Sequence, residues 1–257
     1  EHTNCNSGSA YVAWQWKCNG GTTASNTSGS LTSTVQANQD AGFSIVTFTG
    51  NGTDGATVGH GLGAVPAMVI FKCRDTSNTD WRVYHQSISP TNALSLNSAG
   101  AQYGASGVFG GTFTSTLLKV ENDTGANRNT SPMIAYCFAE KQGYSKFGKY
   151  RGNSSTNGTF VYLGFKPRWV MIKSTSAGVG WFMHDTKRST TNVMDDYLRA
   201  ESSAQEGISS TINIDFLSNG FKLRYGNNTN FSSHDYVYMA FAENPFVTST
   251  GVPGTAQ

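Results

Sequence analysis

The chain writes one ending twice. "SPMIAYCFAE" at residues 131–140 and "HDYVYMAFAE" at residues 234–243 lie about a hundred residues apart and close on the same letters. Self-similarity at a fixed offset constrains a fold more than any local motif, because each copy must satisfy the same packing. Upstream, "GFSIVTFTGNGTDGATVGHGLGAVPAMVIFK" (42–72) aligns with "GYSKFGKYRGNSSTNGTFVYLGFKPRWVMIK" (143–173), with Gly63 opposite Gly164 and Pro66 opposite Pro167. Between these anchors "WRVYH" (81–85) answers "WFMH" (181–184), and "LLKVENDTG" answers "GFKLRYGNN". The expectation is two successive copies of one module, residues 42–140 and 143–246.

Within each copy the apolar runs are short, β-branched and aromatic, and Gly, Asn, Asp, Ser and Thr clusters separate them. That chemistry makes strands and turns. About seven strands per copy predicts an all-β protein of two tandem homologous β-sandwich modules. "NVMDDYLRAES" (192–202) reads either as a strand or as a one-turn helix capped by Asn192. In the repeated endings Ile134, Tyr136 and Phe138 share one face, as do Val237, Met239 and Phe241, which predicts a core-facing strand.

A third, looser version of the ending, "GSAYVAWQWK" (8–17), places Val12, Trp14 and Trp16 in the same positions. Residues 1–18 therefore read as an assembly strand, either the last strand of a preceding module in a longer parent protein or a strand that docks in this chain or a neighbour. Residues 19–41 have few apolar side chains and read as a linker. Residues 247–257 read as a C-terminal tail.

Only 13% of residues are charged and the formal net charge is +2, so no basic stripe exists to track a phosphate backbone. No nucleic acid is expected as a partner. No run of about 18 apolar residues is present, and no membrane insertion is expected. A surface of Ser, Thr, Asn and Gly beside a 12% aromatic share is the profile of extracellular, virion or adhesin β proteins.

Sites of chemistry are sparse. Cys5, Cys18, Cys73 and Cys137 form no CxxC pair and have no His at zinc-ligand spacing, so neither a metal nor a cofactor is expected. Cys5 and Cys18 are spaced to close a short loop, whereas Cys73 and Cys137 sit in apolar runs as small buried hydrophobes do. "GHGLG" (59–63) lacks the Lys of a phosphate loop and precedes a strand, so it reads as a turn. His85 and His184 follow a Trp in both copies, but no acidic or nucleophilic partner recurs beside them. Asp195 and Asp196 are adjacent on a strand, where side chains point to opposite faces, which weighs against a polysaccharide-degrading enzyme. The chain reads as a non-enzyme. For sugar binding, Trp81, Tyr84, Trp181 and Phe182 are the candidate aromatic platforms, set against half-buried packing.

The strings "GFSIVTFTGNG", "GHGLG", "IAYCFAEKQGYSKFGKYRGN", "FVYLGFKPRWVMIK", "DFLSNGFKLR" and "YVYMAFAENPF", in that order, resemble a family of tail-fibre or appendage-type structural proteins of marine tailed bacteriophages. The resemblance covers residues 10–246. It implies a virion structural protein, of a tail fibre or another host-contacting appendage, located in the particle and assembled in the bacterial cytoplasm. Its implied partners are other copies of itself, other virion proteins and a host-surface glycan. A glycan-binding receptor-recognition module and a capsid-surface decoration protein are the alternatives. The family carries no catalytic residues to transfer.

Overall fold

The computed structural model describes residue 8 and residues 10–245. Cys5 and the tail at 247–257 lie outside the described residues, and with Cys5 the question of a Cys5–Cys18 loop.

The described chain is all-β. In chain order the strands are β1 (Ala24–Asn26), β2 (Ser33–Asn38), β3 (Phe43–Thr49), β4 (Ala56–Gly59), β5 (Met68–Cys73), β6 (Arg82–His85), β7 (Asn92–Ser95), β8 (Tyr103–Gly104), β9 (Leu117–Val120) and β10 (Pro132–Phe138). The second half continues with β11 (Ser145–Arg151), β12 (Phe160–Tyr162), β13 (Pro167–Ser174), β14 (Trp181–Asp185), β15 (Asp196–Arg199), β16 (Gly207–Ile208), β17 (Ile214–Leu217), β18 (Gly220–Leu223) and β19 (Asp235–Ala242), with one 3-10 turn at Asn228–Asn230.

Two large antiparallel sheets carry the structure. The first runs β1-β2-β3-β10-β5-β6-β7-β8 and the second β11-β19-β13-β14-β15-β16. From β3 and β11 onward the two orders are the same, with each FAE strand second in line. Each large sheet is covered on one side by a small one, β4-β9 in the first half and β12-β18-β17 in the second. Gly63 and Gly164 occupy matching turns ahead of β5 and β13, with φ of +68° and +83°. A side chain with a Cβ is strained in that left-handed region, which is why Gly stands at both places.

Three apolar clusters fill this arrangement. One lies between the first large sheet and β4-β9, and includes Val46, Phe71, Leu118, Met133 and Cys137. A second lies between the other large sheet and its small partner, and includes Ile172, Ile214, Phe221, Tyr236 and Tyr238. The third joins the two large sheets face to face, through Phe43, Met68, Leu94 and Phe138 from one side and Phe147, Trp169, Trp181, Val237, Met239 and Phe241 from the other. Each fully buried side chain of this kind contributes about 1.5–3 kcal/mol.

The repeated endings thus face a core, but one shared between the halves. On β10 the half's own core takes Met133, Ala135 and Cys137, while Tyr136 and Phe138 turn toward the second large sheet and Ile134 is only half-buried. On β19 the same division sets Tyr236, Tyr238 and Ala240 against Val237, Met239 and Phe241.

Polar bonds tie the halves as well. His85 Nδ1 accepts from the Ser87 amide, at 3.1 Å, so Nε2–H donates to the Tyr238 carbonyl, at 3.2 Å. Gln86 Nε2 donates to the Phe147 carbonyl at 3.0 Å, and Trp181 Nε1 to the Ser95 carbonyl at 3.0 Å. The Gln102 amide donates to the Thr175 carbonyl at 3.0 Å. Lys173 Nζ, buried, donates to the carbonyls of Val179 (2.5 Å) and Ala99 (2.9 Å).

Two sequence-based expectations change, and one left open is decided. Residues 19–41 are not a plain linker, because β1 and β2 lie within them and extend the first sheet from β3. Their polarity misleads: Ser33 and Val35 of β2 are buried, Ser33 through a hydrogen bond from its hydroxyl to the Gly59 carbonyl at 2.7 Å. Residues 10–18 are not in a strand; they run along the body with Val12, Trp14 and Trp16 half-buried and the residues between them exposed. The indoles fill a groove beside the intersheet core, so side chains rather than a ladder anchor the segment. Of the two readings of residues 192–202 the strand holds: Asp196–Arg199 is β15, and the Asn192 side chain bonds both the amide and the carbonyl of Phe216, each at 2.9 Å, bridging to β17 rather than capping a helix.

Candidate functional site

The aromatics singled out for sugar binding divide. Tyr84 is 4% exposed and packs among Phe109 and Phe113 in the first core. Trp181 and Phe182 are 2% and 4% exposed, which leaves no ring face for a ligand. Trp81 alone keeps a partly open face, stacked on Tyr136 at 6.5 Å with Lys72 Nζ 5.9 Å from its ring centre. No aromatic cleft is formed at these positions in both halves.

The two histidines do not occupy one place. Phe138 is paired with Met68, and Met68 with His85. Phe241 is paired with Trp169, and Trp169 with Asp185. Asp185 therefore holds the position of His85, and His184, one residue earlier, points to the other face of its sheet. Matching the two histidines by letter needs a one-residue gap that the ladder does not contain: His184, opposite Val170, holds the place of Tyr84, opposite Val69, and a slip of one residue reverses the side chain.

The open aromatic surface lies elsewhere. The N-terminal segment crosses the second large sheet at β13 and leaves a cleft of about 330 Å³, lined by Trp14, Trp16, Tyr144, Trp169 and Phe241, with Arg168, Asp185 and Lys187 at its polar end. Trp16 stands edge-on to Phe241 (5.5 Å between ring centres), Trp169 (5.7 Å) and Phe138 (5.9 Å). Trp14 tilts against Trp169 at 6.0 Å, and its Nε1–H donates to Asp185 Oδ2 at 3.2 Å. Such edge-to-face contacts add about 0.5–1.5 kcal/mol beyond burial. Trp169 Nε1 is buried and has no acceptor among the described residues.

The charges around the cleft are unequally paired. Arg188 bonds Asp185 at 2.6 Å and Glu206 at 3.1 Å, and lies 5.7 Å from the Trp14 ring centre. Burial alone would raise the Asp185 carboxyl, but hydrogen bonds and charge from Arg188 hold it below the usual range. Lys166 pairs with Glu243 at 2.7 Å. Arg168, in contrast, reaches Glu243 only at 4.0 Å, and Lys187 Nζ has no acceptor among the described residues. The polar end thus presents two under-paired cations on an aromatic wall.

Among the described residues no group of three His, Cys, Asp or Glu is placed to hold a metal ion. Sequence reasoning found Trp14 and Trp16 by their alternation but missed Tyr144, Arg168, Asp185 and Lys187, which stand just before β11, on β13, at the end of β14 and in the turn after it.

The model of a family described as a domain of unknown function (DUF7483) matches residues 1–245, and the chain belongs to that family. No curated protein and no solved structure matches the chain.

Proposed function

We propose that this DUF7483 chain is a structural protein of a tailed-phage particle, a subunit of a tail fibre or another host-contacting appendage, built from two tandem copies of one β-sandwich module. The observation that carries the reading is the face-to-face union of the two large sheets. Their common strand order, β3-β10-β5-β6-β7-β8 and β11-β19-β13-β14-β15-β16, is what duplication of one module leaves behind. Each large sheet packs one apolar face on its small sheet, and joining the remaining like faces buries the other, so the pair forms one stiff four-layered body. A body of that kind suits a particle component that must keep its shape outside a cell. The weakly charged Ser/Thr/Asn/Gly surface and the ordered resemblance to phage appendage proteins point the same way.

The test is location. Particles purified from a lysate are analysed by mass spectrometry and labelled with gold-conjugated antibody against the chain. The chain is expected in stoichiometric amounts with label on the tail or its appendages. Recovery only as free protein, with none in purified particles, would contradict the proposal, and label over the head would assign a capsid decoration instead.

A further inference from the structure

We propose that the cleft under the N-terminal segment binds an anionic saccharide, with Trp14, Trp16 and Tyr144 meeting the sugar rings and Arg168 and Lys187 pairing with a carboxylate or sulfate group. The inference goes beyond a structural role and does not depend on which particle component the chain is.

The volume, about 330 Å³, lies at the lower end of the range for small-molecule sites, enough for one or two sugar rings. Trp14, Trp16 and Tyr144 are each half-buried, so their rings are fixed by packing yet keep an open side. A pyranose presents apolar C–H faces to such rings and hydroxyls at its edge, where the polar end of the cleft can meet them. The sign of the ligand follows from the pairing. The three carboxylates nearby are already engaged, Asp185 and Glu206 by Arg188 and Glu243 by Lys166. Arg168 and Lys187 are left to meet negative charge from solution. An arginine fork takes a carboxylate or a sulfate ester in two parallel bonds, while Lys187 adds a mobile point charge. A neutral glycan would gain the aromatic contact but leave both cations unpaired.

Binding by the full chain can be measured by titration calorimetry and tryptophan fluorescence with three probes: tetragalacturonate, a sulfated carrageenan tetrasaccharide and neutral maltotetraose. One of the two anionic probes is expected to bind at least tenfold more tightly than maltotetraose, and more weakly as salt rises. Arg168→Gln with Lys187→Gln should weaken it at least tenfold. Trp81→Ala, on the open ring outside the cleft, should leave it unchanged. Circular dichroism and unfolding midpoints verify that the variants are folded. Absence of binding by both anionic probes at millimolar concentration would overturn the proposal. So would equal binding of maltotetraose, or an affinity untouched by the double substitution. None of these results bears on whether the chain is a particle component.

Discussion

Phe138 and Phe241, the phenylalanines of the two FAE endings, meet across the interface of the large sheets with ring centres 6.3 Å apart and planes at 64°. The repeated letters are thus a contact as well as a resemblance. Phe43 stacks on Phe138 at 4.8 Å, and Phe147 stands edge-on to Phe241 at 6.2 Å, so the pair is held from both sides.

Trp16 touches both phenylalanines and closes the rim of this core. Because it is half-buried, Trp16→Ala is expected to cost about 2–3 kcal/mol, below the full cost of a core Trp truncation. Gln15→Ala, on an exposed neighbour, should stay within about 0.5 kcal/mol. Urea midpoints of the two variants check the contrast; equal midpoints would show that the segment contributes nothing to the body.

Much of this was legible in the sequence, and the failures have physical causes. A period of two tells which side chains share a face, so Val237, Met239 and Phe241 could be grouped; it cannot tell whether that face meets the small sheet of its own half or another large sheet. Residues 33–38 pass for linker because β2, near the end of its sheet, can bury Ser33 through a single side-chain hydrogen bond and needs few apolar residues. The histidines were paired by a letter match that inserts a one-residue gap, whereas the ungapped ladder places Asp185 opposite Trp169 as His85 stands opposite Met68. Arg168 and Lys187 join Trp14 only through the fold, across more than 150 residues, and no local spacing announces them.

Acid should loosen both halves. Burial, partly offset by the bond to the Tyr238 carbonyl, lowers His85 to about 4, and burial with the Arg188 charge lowers His184 to about 3. Both folded values lie below the ordinary 6.5, so the unfolded chain binds more protons as pH falls. The stability is fully present above pH 6.5 and is lost toward pH 4 and 3. Between pH 7 and pH 5 each histidine should remove roughly 2 kcal/mol. Denaturation at the two pH values measures the loss, and His184→Leu is expected to show about half the histidine-dependent part. An unchanged loss in that variant would mean His184 is charged in the folded state.

The thiols should separate by accessibility. Burial pushes Cys137 up to about 12, and burial with the adjacent Asp75 carboxylate pushes Cys73 up, whereas Cys18 is half-buried and donates to the Gln36 carbonyl at 2.8 Å. Iodoacetamide at pH 8, followed by peptide mapping, should label Cys18 well ahead of Cys73 and Cys137, and all three once the chain is denatured. Labelling of Cys137 in the native chain at the rate of Cys18 would contradict its place in the core.

The shared core between the large sheets is tested most directly by Phe241→Ala, with equilibrium unfolding followed by hydrogen-exchange mass spectrometry on peptides from β10 and from β19. The truncation is expected to cost about 3–5 kcal/mol. If the sheets form one body, peptides from both strands lose protection at one common midpoint, and both shift down together in the variant. A β10 midpoint that stays at its wild-type value while β19 alone shifts would contradict the face-to-face union.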